Sequence, residues 1–270
     1  AQFDKDGILS ANTAFGDYPH YLPSSKADHS ASQFTGWMLL NYQKPVKVSS
    51  TLGVFSPNLA VDEDIKTYWS AATANKGEWI QTDLGAVSTV HAVQINYADQ
   101  DVTLMGKYTN TYHQYKLYSS VDGVHWKLLI DKSNNQTDIP HEYVELTTPV
   151  QTRYLKLENI HMPTCKFAIS GFRVFGKGKG AVPDTVKHFV VLRGESERRN
   201  SWLKWEVNPT ATGYTIYTGT APDKLYTSIM VYGTNEYYFS AMEKNEPYYF
   251  QIEPFNENGL GKRTAVVKAE

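Results

Sequence analysis

The sequence predicts an all-β protein made of two antiparallel sandwiches, and three observations carry that reading. Short runs alternating apolar and polar residues recur along the chain. Clusters of Gly, Pro, Asn and Asp separate them, and no useful length of helical periodicity interrupts them. The composition agrees: 270 residues, 41% hydrophobic and 20% charged, suit a globular chain with room for two ordinary domains. The 19 Tyr and 6 Trp are what strand propensity favours.

Taken in order, residues 1–42 open with a hairpin-like Asp4-Lys5-Asp6-Gly7 turn and continue as an aromatic, loop-rich segment. The apolar strand Gly36–Leu40 and the linker-like Lys44-Pro45 follow. Because Trp37, Met38, Leu39 and Leu40 are too apolar to stay exposed, the whole first stretch is expected to pack along the following sandwich.

The stretch 58–85 organises what comes next. An acidic loop, Asp62-Glu63-Asp64, leads to Thr67 and Trp69, and a strand-like run from Glu78 to Leu84 is expected to end at Gly85. Carboxylates followed by a hydroxyl are oxygen ligands of the kind calcium takes, and they equally describe a solvated acidic turn. Further strands are expected at 91–97, 115–119, 127–130, 142–146 and 153–157. Asp122-Gly123 supplies a tight turn, and Asn134, Asn135 and Pro149 fall in connections. A Gly-rich charged linker, 177–183, precedes evenly spaced alternating runs from Trp202 to Ala269, the pattern of a second small sandwich.

Several function classes are excluded at this level. A net charge of −2 gives no electrostatic footprint for nucleic acid or acidic membranes. No apolar run reaches membrane-spanning length, and the first residues lack the basic segment and apolar core of a signal peptide. The single cysteine, Cys165, excludes an internal disulfide and argues against a zinc cluster. Asp17 beside His20 and Asp28 beside His29 suggest acid–base pairs, but no nucleophile-bearing motif lies near them and no pair of carboxylates is set apart for glycoside hydrolysis. The chain is read as non-catalytic.

The binding candidates lie in two loops. Residues 99–113 are long for a strand connection and bring together Tyr108, Asn110, Tyr112 and His113; the loop 161–167 adds His161, Lys166 and Phe167. Sugars bind where flat rings meet directional hydrogen-bonding groups. The same rings would serve equally well to pack against a neighbouring segment.

These motifs resemble known families. The acidic loop with Thr67-Tyr68-Trp69, the run Trp79-Ile80-Gln81-Thr82-Asp83-Leu84-Gly85 and the later strands 91–97, 115–129, 153–158 and 171–176 resemble factor 5/8 type C (discoidin-like) domains and family 32 carbohydrate-binding modules. That resemblance implies a discoidin-like jelly roll over 44–178. Residues 1–43, through GDYPHYL (16–22) and GWMLL (36–40), resemble the end of the catalytic propeller in family 43 glycoside hydrolases; otherwise they are a strand and arm of the binding module itself. Residues 179–270 resemble a fibronectin type III domain, with Trp205 at the core tryptophan, Tyr248 at the tyrosine corner and Asn256-x-x-Gly259 before the last strand.

The resemblances imply a non-catalytic carbohydrate-binding and spacer region of a secreted, periplasmic or cell-surface bacterial glycoside hydrolase. Its partners would be plant or host glycans such as arabinoxylan or arabinan, and its own catalytic domain. The alternatives are a structural buttress for the catalytic part and a cell-surface adhesion module. The implied sugar site is Tyr108, Asn110, Tyr112, His113, His161 and Lys166; the implied calcium ligands are Asp62, Asp64 and Thr67. Two departures stand out. Lys107 is the basic residue where relatives often carry Arg, and Gly171 occupies the position of a liganding glutamate.

Overall fold

The computed structural model describes residues 2–10, 36–103 and 110–270. The pairs Asp17–His20 and Asp28–His29, the GDYPHYL string, Lys107 and Tyr108 lie outside these residues. The chain divides into two compact units: Trp37–Lys179, and Gly180–Glu270 together with Ala1–Gly36. Every extended element is a β-strand, and no α-helix occurs among the described residues.

The first element is a hairpin of β1 (Gln2–Phe3) and β2 (Leu9–Ser10), which groups with Gly180–Glu270 and not, as expected, with the first sandwich, because its charged turn meets Arg199 and Glu246. Its turn is organised by Asp4, whose Oδ1 accepts from the amides of Asp6 at 3.0 Å and Ile8 at 2.9 Å, and by Gly7 at φ 80°.

The unit Trp37–Lys179 is a sandwich of eight strands: β3 (Met38–Leu39), β4 (Val46–Val48), β5 (Trp69–Ser70), β6 (Trp79–Tyr97), β7 (Gln114–Ser120), β8 (Lys127–Asp131), β9 (His141–His161) and β10 (Ala168–Lys177). They pair in the order β3-β10-β6-β9-β7-β8, with β4 added to β6 and β5 to β10. Met38, Leu39 and Leu40 are buried, and the GWMLL string supplies an edge strand here, Met38 pairing with Gly176 and Leu39 with Phe175.

Two expectations change. Gly85 does not end its strand, and Pro149 does not lie in a connection: β6 and β9 run on for 19 and 21 residues. Each crosses irregularities in the ladder, between Asp83 and Ser88 and between Val90 and Ala92. Gly85, at φ 83°, takes the left-handed conformation that lets the first bulge form, so the strand bends where the sequence suggests a stop. Arg153 fixes that bend with paired hydrogen bonds of 2.7 and 2.8 Å to the Asp83 carboxylate, whose pKa is lowered chiefly by that arginine.

The core of this unit gathers Trp69, Ile80, Val93, Ile95, Tyr115, Leu117, Leu155, Leu157, Phe167 and Phe172. Each large apolar side chain buried this way contributes about 1.5–3 kcal/mol, which is the main drive for closing the layers. Trp69 meets Phe167 edge-on at 5.4 Å.

The second unit carries a three-stranded sheet of β11 (Val190–Arg193), β12 (Ser201–Lys204) and β15 (Glu236–Phe239). Facing it are β13 (Gly213–Gly219), β14 (Thr227–Tyr232), β16 (Tyr249–Asn256), β17 (Gly259–Leu260) and β18 (Val267–Lys268). Trp205, Tyr214, Phe239, Phe250 and Ile252 lie in its core. The Tyr248 hydroxyl accepts from the Glu243 amide at 3.0 Å, while Trp202 and Tyr238 remain nearly half exposed on the outer face of the smaller sheet.

Candidate functional site

Strand pairing brings the two candidate loops to one end of the first sandwich. Tyr97 ends β6 opposite Ile169 of β10, and Gln114 opens β7 opposite His161, the last residue of β9. The chain after Tyr97 and the chain after His161 therefore emerge side by side. Backbone bonds staple them together: Ala98 N–H to Ala168 O at 3.0 Å, and Lys166 N–H to Gln100 O at 2.9 Å. The segment after Trp69 joins them through Ala71 N–H to Phe167 O at 2.8 Å.

Of the six sugar-binding candidates, Tyr112 and His161 come together as half-buried rings, centroids 5.0 Å apart and inclined by 39°. His161 Nε2 is itself buried and has no hydrogen-bond partner among the described residues. His113 lies beneath them, buried and stacked on Tyr97 at 3.9 Å. Burial pushes its imidazole down to about 4, so it is neutral at physiological pH. Asn110 is exposed. Lys166 turns inward: its Nζ donates to Ala72 O at 3.0 Å and lies 3.6 Å from Asp101 Oδ2, so it ties loops together. Cys165 is buried, its thiol pushed up to about 11 mainly by burial, and is chemically quiet.

A second group at these loops is one the sequence reading passed over. Phe55 and Tyr68 stack at 4.7 Å with 20° between planes. The Tyr68 hydroxyl donates to Gln100 Oε1 at 2.6 Å, and Gln100 Nε2 donates to Asp101 Oδ1 at 2.6 Å. No alternation signals Tyr68, since it precedes the two-residue strand Trp69–Ser70, both of whose residues are buried. Val54 and Ile65 are more than four-fifths exposed, two apolar residues that the sequence analysis did not single out.

The acidic loop is closed largely by its own groups. Thr67 Oγ1 lies 2.7 Å from Asp62 Oδ2 and 3.0 Å from the Asp64 carbonyl; Asp62 Oδ1 accepts from the Asp64 amide at 3.0 Å, and Asp64 Oδ1 from the Lys66 amide at 2.9 Å. Glu63, at φ 62°, turns its carboxylate inward to accept from Arg173 Nε at 2.8 Å. Calcium takes roughly six to eight oxygens. Asp62, Asp64 and Thr67 fall short of that set, and the remaining carboxylate of the loop already faces a guanidinium. Among the described residues no three His, Cys, Asp or Glu side chains group to hold a metal.

Comparison with known proteins matches residues 45–172 to the F5/8 type C domain family. Among curated proteins none matches. Similar solved structures include chitosan-binding module 1 from the chitosanase/glucanase of Paenibacillus sp. IK-5, at 21% identity and a TM-score of 0.43, covering 52% of this chain and 99% of that one. Chitosan-binding module 2 of the same enzyme, in complex with chitotriose, is similar at 18% identity and a TM-score of 0.43, covering 51% and 99%. The family 32 CBM from C. perfringens NanJ, in complex with galactose, is similar at 15% identity and a TM-score of 0.42, covering 51% and 97%. The bulged strands, the loop end they build and the match to the F5/8 type C domain family coincide in one segment, residues 45–172, which fold as an all-β sandwich.

Proposed function

We propose that the sandwich of residues 45–172 is a non-catalytic carbohydrate-binding module, with its ligand seated on the loop end around Tyr112 and His161. The observation that carries this is the half-buried ring pair of Tyr112 and His161, 5.0 Å apart, a flat face of the kind a sugar ring packs on. Exposed Asn110, two positions before Tyr112, and the Phe55–Tyr68 pair, tied to the same loops through Gln100, are the proposed further contacts. One such site gives weak binding: millimolar affinity corresponds to about −4 kcal/mol, so a single stacked ring is a large share of the total. Plant or host glycans are the proposed ligands, arabinan and arabinoxylan first.

The wider setting follows the sequence resemblances. The chain is read as part of a secreted bacterial family 43 glycoside hydrolase, whose catalytic domain is its partner in the same polypeptide. The second sandwich is read as fibronectin type III-like, a reading supported by the buried Trp205 and the bond from the Glu243 amide to the Tyr248 hydroxyl. The acidic loop is read as holding its shape through Thr67 and Arg173 without a bound cation.

The test is affinity electrophoresis of the whole chain. Wild type should be retarded by arabinan or arabinoxylan, and Tyr112→Ala should lose that retardation with an unchanged circular dichroism spectrum. A second reading, a buttress that binds nothing in solution, is favoured by the inward commitments of His113 and Lys166. Absence of retardation on every plant and host glycan tried would select it.

A further inference from the structure

The N-terminal hairpin is too small to hold itself together, since strands of two residues are marginal in water. Apolar burial does not hold it either: Phe3, Ile8 and Leu9 are each at least half exposed. What it offers the second sandwich is charge in the order minus, plus, minus. Asp4 and Asp6 both face Arg199, Asp4 Oδ2 accepting from Nε and Asp6 Oδ2 from Nη2 at 2.8 Å. Lys244 lies 3.6 Å from Asp6, and Lys5 reaches Glu246 Oε1 at 2.5 Å. Glu197 orients the same guanidinium, with Oε1 3.1 Å from Nη1.

The pairs are unequal. Lys5 and Glu246 are largely solvated, and such surface pairs add little. The Arg199 side chain is only 14% exposed and that of Asp4 only 5%, so this pair sits where charge-assisted hydrogen bonds count. Asp4 therefore has two tasks. One oxygen shapes the turn and the other meets the arginine.

We propose that Glu197, Arg199, Lys244 and Glu246 form a docking site on the second sandwich for an Asp-Lys-Asp β-turn, occupied by residues 4–6 of this chain. The second sandwich is then an anchor that grips the N-terminal hairpin through charge, where a mere spacer would leave it free. This stands apart from sugar binding, since no residue of the loop end takes part.

Hydrogen exchange of the full chain, read on the peptide containing residues 2–10, tests it. At low salt the Asp4 and Gly7 amides, bonded within the hairpin, should be protected. Asp4→Asn keeps an acceptor for the turn and removes the charge; Arg199→Ala removes the partner. Each should lower protection about tenfold or more, and 1 M salt, with a screening length of about 3 Å, should weaken it in the wild type. Unprotected amides in wild type at low salt would overturn the proposal. So would unchanged protection in Asp4→Asn, which decides the matter if Arg199→Ala disturbs the sandwich.

Discussion

Glu63 and Arg173, 110 positions apart in sequence, meet at 2.8 Å with both side chains mostly withdrawn from water. The arginine holds the carboxylate inside a loop whose backbone at Glu63 is left-handed, a conformation that costs a side-chain-bearing residue energy. Arg173→Gln leaves a buried, unpaired carboxylate and should cost about 2 kcal/mol at neutral pH, measured by denaturant unfolding. Glu63 titrates above the usual carboxylate range, burial outweighing the pull of Arg173. A raised acid binds its proton more tightly in the folded state, so stability falls as pH rises through its folded pKa. The deficit of Arg173→Gln should therefore shrink on acidification, as Glu63 becomes neutral.

Melting curves of the whole chain in calcium and in EDTA should coincide. A cation that bound the native acidic loop would stabilise it by mass action. Arg173 and the Thr67 hydroxyl already meet two of its three carboxylates. A calcium-dependent rise in melting temperature that Asp62→Asn removes would show instead that the loop oxygens recruit a metal.

His113 should make the first sandwich sensitive to acid. Burial lowers its imidazole to about 4, while the unfolded chain binds that proton near pH 6.5. Its contribution is complete above about pH 6.5 and is lost as pH falls toward 4, by roughly 3 kcal/mol in all. His113→Phe keeps a ring on Tyr97 and should flatten the stability–pH profile over that interval. A profile unchanged by the substitution would rule His113 out as the sensor.

Gly176 should tolerate no side chain. A Cβ built there would lie 1.9 Å from the Thr89 carbonyl and 3.0 Å from Leu40 Cδ1, inside the β10–β6 ladder. Gly176→Ala should lower the stability of the first sandwich by about 2–3 kcal/mol. Calorimetry should show that transition move while the transition of the second sandwich stays in place.

Most of the strand content was legible because alternation reports directly on burial: Tyr115 and Leu117 are buried, and Lys116 between them is not. The bulges were not. Gly85 and Pro149 punctuate a sequence in the same way whether the chain stops or bends, and only the partner strand decides. At the loop end, Tyr112 and His161 could be paired from their places in two loops. The inward turns of Lys166 and His113 depend on Ala72 and Tyr97, which no local pattern connects to them. The contacts of Glu63 with Arg173 and of Asp4 with Arg199 span 110 and 195 positions, beyond any periodicity.

Met38 pairs with Gly176, so the first sandwich receives the chain and releases it on adjacent antiparallel strands. Paired Cα atoms in such a ladder are only about 5 Å apart. In mechanical terms the two ends form a zipper: tension applied at Trp37 and Lys177 would load the pairs Met38–Gly176 and Leu39–Phe175 in succession. In evolutionary terms the same geometry makes the sandwich a cassette, which a host chain can accept or lose at a single point with little displacement of what flanks it.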